Sequence, residues 1–294
     1  MPAAPTTSFD LPYRPPYDWG GLLAFLSKRT IAGVEAVADG RYARTLRLAT
    51  GGRTATGWVA VTQNAAADSL DVSLSPSLAS AIAPVRERLA RLFDVDLDGA
   101  AVAAHLGDLA AGAPGLRLPG TVDGFELAVR GVLGQQVTVQ AAHTIAGRFA
   151  RAFGRTLGAE APAGLDTVFP APADVAARDV SEIASLGIVR VRAGAILALA
   201  QALADGSLRL EPGQDVAAQL TRLRTIPGIG EWTAQYLAMR ALRWPDAFPH
   251  TDYGVRKALG TTADREVLAR AEPWRPWRAY AVMHLWRSLS AHTP

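Results

Sequence analysis

In Leu223-Arg224-Thr225-Ile226-Pro227-Gly228-Ile229-Gly230-Glu231-Trp232-Thr233-Ala234 an apolar helix end runs into Pro-Gly-Ile-Gly, and a second helix begins at once. The glycines permit a tight turn and the close approach of another backbone. The unpaired amides that open the second helix point outward and can bind a phosphate. The same residues also make an ordinary helix–helix turn, and the local pattern leaves both readings open. A dinucleotide-binding turn is excluded, because a helix rather than a strand precedes the glycines and Thr233 stands where the third glycine belongs.

About twenty residues downstream lies His250-Thr251-Asp252-Tyr253-Gly254-Val255-Arg256-Lys257. Asp252 sits where a helix should begin, which makes it a preferred N-cap or a carboxylate kept ionised by the helix start. Aromatic residues gather around these two segments. Trp232 and Tyr236 are four apart on one helical face, Tyr253 follows Asp252, and Trp274, Trp277, Tyr280 and Trp286 crowd the C-terminus. Each alone reads as core. Together with a phosphate-binding turn and a carboxylate they read as a pocket in which a flipped base stacks.

Upstream, the first hundred residues read as mixed α and β. Asp18 to Ser27 is predicted helical with Asp18 as cap. Arg44–Leu48, Thr54–Val61 and Leu70–Leu74 are predicted strands of a small antiparallel sheet. Leu78–Phe93 is predicted helical, with Pro84 breaking or kinking it. After Asp98 the periodicity is almost wholly helical: Phe125–Leu133, Val137–Phe153, Arg192–Leu203, Val216–Leu223, Trp232–Leu242, Val255–Leu259 and Trp277–Leu289. Ala159–Gly164, small-residue-rich and containing Pro162, reads as an exposed linker. No repeat of fixed period occurs.

Composition narrows the chemistry. The 294 residues contain no cysteine, which excludes disulfides, thiol nucleophiles and Cys-held zinc or iron–sulfur centres. The five histidines show no metal-ligand spacing and read as packing or surface. The longest apolar stretch, Ala193–Ala204, is too short to span a bilayer, and the N-terminus lacks a signal-peptide pattern. The expectation is a cytoplasmic protein with no membrane partner. The net charge of +3 is uneven: eleven basic and seven acidic residues lie from Asp215 onward, so the part before is slightly acidic. A basic C-terminal part is compatible with nucleic acid.

Taken jointly, these motifs resemble the helix–hairpin–helix DNA glycosylases and, among them, the DNA-3-methyladenine glycosylase II family. The likeness runs over nearly the whole chain. It includes Pro15-Pro16-Tyr17-Asp18-Trp19, Val34–Asp39, Tyr42-Ala43-Arg44 and Arg91-Leu92-Phe93-Asp94. It continues through Pro114–Gly120, Leu133-Gly134-Gln135-Gln136-Val137, Trp274–Tyr280 and His284-Leu285-Trp286.

The resemblance implies an α+β fold. An N-terminal α/β domain (1–99) with a small antiparallel sheet is followed by two helical domains of the helix–hairpin–helix type. One is 124–244, ending in the hairpin; the other is 100–123 with 245–294, carrying the catalytic Asp; the active site lies in the cleft between them. It further implies Asp252 as the catalytic carboxylate. The base pocket would comprise Trp232, Tyr236, Tyr253 and Trp286, with Phe25 nearby. The amides of Gly228, Gly230 and Thr233 would hold a DNA phosphate, and Gln136 would wedge into the gap left by the flipped base. The carbonyls of Arg224, Ile226 and Ile229 would form a hairpin site for a monovalent cation, Na+ or K+; no cofactor is required. The implied partner is duplex DNA containing alkylated bases, bound by a monomer.

Three departures stand out. Gln136 occupies a place that can hold leucine, His250-Thr251 replaces Pro-Asp ahead of the catalytic Asp, and no methyltransferase domain is expected ahead of the α/β domain.

Two rival readings remain. A bifunctional glycosylase/lyase needs a lysine amine for a Schiff base. Only Lys28 and Lys257 exist, and Trp232 occupies the position that carries that lysine in the resembling bifunctional families. A non-catalytic damage-binding hairpin protein has no use for Asp252, which would repel a phosphodiester. The aromatic pocket is expected to offer π faces but few hydrogen-bonding groups. It should therefore favour cationic bases such as 3-methyladenine and 7-methylguanine with little selection by exact identity.

Overall fold

The computed structural model describes residues 7–291 apart from 51, 136, 137, 159 and 160. Gln136, the expected wedge, thus lies outside the described residues. An antiparallel sheet comes first, in the order β1-β5-β4-β3-β2. Its strands are β1 (Thr7–Pro12), β2 (Glu35–Ala38), β3 (Arg41–Thr50), β4 (Arg53–Asn64) and β5 (Ser69–Leu74). The three foreseen strands form its centre. Strands β1 and β2 were not foreseen; both lie at an edge, where a short segment, even one ending in Pro12, is tolerated.

Alternation places Tyr42, Leu46, Leu48, Val59, Val61, Val72 and Leu74 on one face, against α1 (Trp19–Ser27) and α2 (Ile82–Phe93). Asp18 caps α1, its carboxylate accepting from the Gly21 amide at 2.8 Å. Pro84 does not break α2. It falls in the helix's first turn, where an amide has no intrahelical acceptor in any case; a separate 3₁₀ turn, Pro76–Ala81, precedes it. The outer face of the sheet carries Ala43 and Ala60, which pack with Leu165 and Ala161. The expectation of an exposed linker at Ala159–Gly164 is corrected in part: 159 and 160 lie outside the described residues and Ala163 and Gly164 are exposed, but Ala161 and Pro162 are half-buried, and Ala161 packs on the sheet.

The helical part comprises α3 (Gly99–Leu106), α4 (Gly124–Leu133), α5 (Val139–Phe153), α6 (Pro172–Ala176), α7 (Val180–Ala184), α8 (Arg190–Ala204) and α9 (Val216–Thr225). It continues with α10 (Glu231–Arg240), α11 (Tyr253–Leu259), α12 (Asp264–Ala271) and α13 (Arg278–Ala291). Their apolar stripes meet in one core containing Phe125, Phe149, Leu199, Leu223, Leu237, Val255 and Val282. Helices α3, α6, α7 and α12 escaped the periodicity, being eight residues or shorter. No helix among the described residues is long and apolar enough to cross a membrane.

Sheet and helices are joined by buried charge. Arg44, on the inward face of β3, pairs with Glu126 of α4 at 2.6 Å and Glu35 of β2 at 3.2 Å. Arg130 bonds Glu126 at 2.7 Å and also Glu35. A second junction has Asp94 accepting from Arg243 and from the Tyr280 hydroxyl.

Candidate active site

The hairpin between α9 and α10 has Gly228 in the left-handed region at φ +88°; a Cβ there would also lie 3.1 Å from that of Ala195. Both facts require glycine. Gly230 differs: it has an extended backbone and nothing near an added Cβ, so it keeps the outer surface open. The first intrahelical bond of α10 among the described residues runs from the Ala234 amide to the Gly230 carbonyl at 3.0 Å. The amides before it are left for an outside acceptor. Gly228 and Gly230 are exposed, whereas Thr233 is buried. Its hydroxyl accepts from Gln135 Nε2 at 2.9 Å, so the Thr233 side chain works inward rather than toward a ligand. The Ile226 carbonyl accepts from the Ile229 amide at 3.0 Å and keeps a second lone pair.

Asp252 is both a cap and a cleft carboxylate. Its Oδ1 accepts from the Val255 amide at 2.9 Å, closing the start of α11. The same oxygen accepts from Trp286 Nε1 at 2.9 Å, and Oδ2 accepts from Trp232 Nε1 at 2.7 Å. Two indoles from α10 and α13 thus hold one carboxylate. Gly254 makes this approach possible, since a Cβ there would lie 3.0 Å from the Trp286 ring and 3.1 Å from Asp252 Oδ1. Trp232 stacks on Tyr236 with centroids 5.2 Å apart and planes 9° apart.

These groups border a cavity of about 510 Å³, within the range of small-ligand sites. Trp232, Tyr236, Asp252, Tyr253 and Trp286 line it. Tyr253 is 79% exposed and stands at the mouth. Phe25 stands near the pocket, as expected, but does not line the main cavity. It lies parallel to Trp286 at 6.3 Å and lines a second cavity of about 260 Å³ on the other side. Projecting from α1 with the Arg29 guanidinium over its ring, it supports the tryptophan rather than lining the main cavity.

The expectation of few polar groups is also corrected. Arg29, Arg44, Arg130, Arg240 and His143 line the same cavity, with Glu35 and Glu126. The Tyr236 hydroxyl accepts from Arg240. Burial alone would raise its pKa, but Arg240, Arg29 and Arg130 together pull it below that of an ordinary tyrosine. Sequence reading did not assign these arginines to the site, because they come from three different elements and the turn after α1. Two left a signal: Arg44 stands in the quoted Tyr42-Ala43-Arg44, and Arg29 lies four residues after the nominated Phe25. No lysine lines the cavity: Lys28 borders the second cavity, and Lys257 is exposed on α11.

Comparison with known proteins gives this site its setting. Residues 8–123 match the AlkA N-terminal domain, and residues 129–265 match the HhH-GPD superfamily of base excision DNA repair proteins. The chain is 37% identical to DNA-3-methyladenine glycosylase 2 of Escherichia coli, over 95% of this chain and 96% of that one. It belongs to the DNA-3-methyladenine glycosylase II family. A further relative of this glycosylase, described as a probable bifunctional transcriptional activator/DNA repair enzyme AlkA of Mycobacterium tuberculosis, is 40% identical over 98% of this chain. The match spans 58% of that longer protein. In fold, the glycosylase is similar to 3-methyladenine DNA-glycosylase from Archaeoglobus fulgidus, with a TM-score of 0.75 at 19% identity, covering 95% of this chain and 97% of that one. The α+β architecture, a small sheet followed by helix–hairpin–helix domains, is that of the family.

Proposed function

We propose that this glycosylase releases alkylated purines such as 3-methyladenine and 7-methylguanine from duplex DNA, by hydrolysis alone, with Asp252 as the catalytic carboxylate. The carrying observation is the Asp252 carboxylate, gripped by two indole N–H groups at the edge of an aromatic cavity that no lysine lines. The flipped base enters between the tryptophans. The C1′–N bond breaks, its electron pair leaves with the base, and positive charge develops on the sugar. A fixed carboxylate stabilises that charge. Asp252 has three of roughly four acceptor sites filled by Val255, Trp286 and Trp232, leaving Oδ2 able to orient the water that adds to C1′.

A DNA phosphate is held at the exposed Gly228–Gly230 turn by the free amides of α10, and Gln136 fills the vacated stack. The neutral carbonyls of Arg224, Ile226 and Ile229 are hard-oxygen donors suited to Na+ or K+, which would brace the hairpin against the phosphate. The chain acts as a cytoplasmic monomer. Incubation with methylated duplex and chromatography of the released bases tests the activity. Borohydride trapping tests the lyase alternative, and no covalent complex is expected. Binding to damaged duplex without release would instead establish a damage-binding protein.

A further inference from the structure

Four arginines border the main cavity, and three have every guanidinium nitrogen hydrogen-bonded. Arg240 gives Nε to the Pro119 carbonyl at 2.7 Å, Nη2 to the Gly120 carbonyl at 3.0 Å and Nη1 to the Tyr236 hydroxyl. Arg130 is shared among Glu126, Glu35 and the Arg29 carbonyl. Arg44 is shared among the Thr45 carbonyl, Glu35, the Tyr42 hydroxyl and Glu126. Arg29 is different. Its Nη1 donates to the Phe25 carbonyl at 3.0 Å, and its Cζ lies 3.7 Å from the Phe25 ring centroid. Among the described residues its Nε and Nη2 make no hydrogen bond, and no carboxylate stands within ion-pair distance. Burial, with Arg240 and Arg130 nearby, pulls its pKa down to about 10 against the opposing influence of Tyr236 and Asp252, so it is a cation at neutral pH.

Neither free nitrogen is among the buried unpartnered atoms, so both face open space and are available to a ligand. Arg29 borders both the cavity assigned above to the flipped base and the second, smaller cavity. We propose that Arg29 is a specificity-determining residue for the departing base: it donates to an acceptor edge of a neutral lesion and stabilises the anion that such a base becomes. The inference rests on the glycosylase reading of Asp252 and extends it to the other end of the breaking bond.

The electron count separates two kinds of lesion. When the C1′–N bond breaks, the electron pair stays on the base. A cationic N-methylpurine thereby becomes neutral. A neutral base such as hypoxanthine becomes an anion, its charge spread over ring nitrogens and the carbonyl oxygen. Water adds to C1′ and releases a proton; the hypoxanthine anion takes it up, whereas for the methylpurine it goes to solvent. A guanidinium stabilises the first leaving group, contributes little to the second, and repels the second while it is still cationic. Arg29 therefore offsets the bias toward cationic lesions that the tryptophans create.

The test is single-turnover release from two duplexes that differ only in the lesion, hypoxanthine or 7-methylguanine, by wild type, Arg29→Met and Arg29→Lys. Losing a charge-assisted hydrogen bond should slow hypoxanthine release by roughly ten- to a hundredfold in Arg29→Met. Release of 7-methylguanine should hold or rise. Arg29→Lys, which keeps the charge without the fork, should recover part of the hypoxanthine rate. Should Arg29→Met unfold, Arg29→Lys carries the test alone, with an intermediate loss on hypoxanthine only. Equal losses on both lesions, with Lys no better than Met, would make Arg29 scaffold and overturn the proposal; so would an unchanged hypoxanthine rate. Failure of the underlying glycosylase reading shows separately, as wild-type protein that releases neither base.

Discussion

Two sets of charges meet the same cavity and are built in opposite ways. At the sheet–helix junction Glu35, Arg44, Glu126 and Arg130 are each bound by the others, with side chains of Arg44 and Glu126 only 3% and 2% exposed. At the cleft Asp252 has no cationic partner within ion-pair distance among the described residues. Its contacts are two indole N–H groups and one amide, and it keeps solvent access. The first arrangement uses charge to fix how the sheet docks. The second withholds a counter-ion, so that a carboxylate can answer a charge that exists only during the reaction.

The junction should show the largest effect, and it should appear in stability. Glu126→Ala leaves Arg44 and Arg130 with Glu35 alone, and removing one partner of a buried pair costs about 3–5 kcal/mol. Urea titration reads this directly. The same cluster sets an acid limit. Burial would raise the Glu35 pKa, but Arg130 and Arg44 bring it down to about 2 from its ordinary 4.5. A depressed carboxylate stabilises the fold fully above its unfolded pKa and loses that contribution as pH falls toward the folded one. The midpoint should therefore fall between about pH 4.5 and 2, less steeply in Glu35→Gln. A midpoint unmoved in Glu126→Ala would end the contrast.

The cleft should show the converse, a loss of rate with little loss of fold. Asn caps helices about as well as Asp, so Asp252→Asn should leave the urea midpoint near wild type. Base release should fall by about 10²–10³-fold or more, the scale of one preorganised electrostatic group. Near wild-type release would leave Asp252 as a cap only.

The tryptophans decide whether the cleft depends on stacking or on holding the carboxylate. Trp232→Phe and Trp286→Phe keep a π face and remove an N–H that reaches Asp252. A loss of about tenfold, equal for cationic and neutral lesions, is expected if the indoles mainly orient the carboxylate, since bonds to charged groups contribute about 1.5–3 kcal/mol each. A loss confined to Trp→Ala, and larger for cationic lesions, would return the weight to stacking.

The same contrast explains what the sequence made legible. Asp252, Trp232, Trp286 and Gly228 lie in or beside short motifs whose local geometry demands those residue types, so each could be nominated from its neighbours. The central strands and long helices were legible because alternation and the 3.6-residue period persist over enough residues. The junction was not. Arg44 and Glu126 are 82 residues apart and touch only because the sheet docks on α4. Arg29 and Arg240 likewise reach the cavity from different ends of the chain. Phe25 came only from the family resemblance, and its direction depends on how α1 packs behind Trp286, which no local pattern carries.

The smallest expected effect belongs to Gln135, which lies between the two regions and next to the expected wedge. Its Nε2 donates to the Gly228 carbonyl at 3.1 Å and to the Thr233 hydroxyl at 2.9 Å, tying the α4–α5 connection to the hairpin. These are neutral bonds near the surface, so Gln135→Ala should cost only about 0.5–1.5 kcal/mol. Where that cost falls is informative. If the tie sets the wedge in register with the phosphate grip, flipping should suffer and non-specific duplex binding should not, because the latter rests on phosphate contacts. A fluorescent base analogue beside the lesion reads flipping, and titration with undamaged duplex reads the grip. A smaller fluorescence change with unaltered undamaged binding is the expected result. Equal weakening of both would mean that Gln135 only shapes the hairpin, and the cleft would then share no positioning bond between its wedge and its phosphate site.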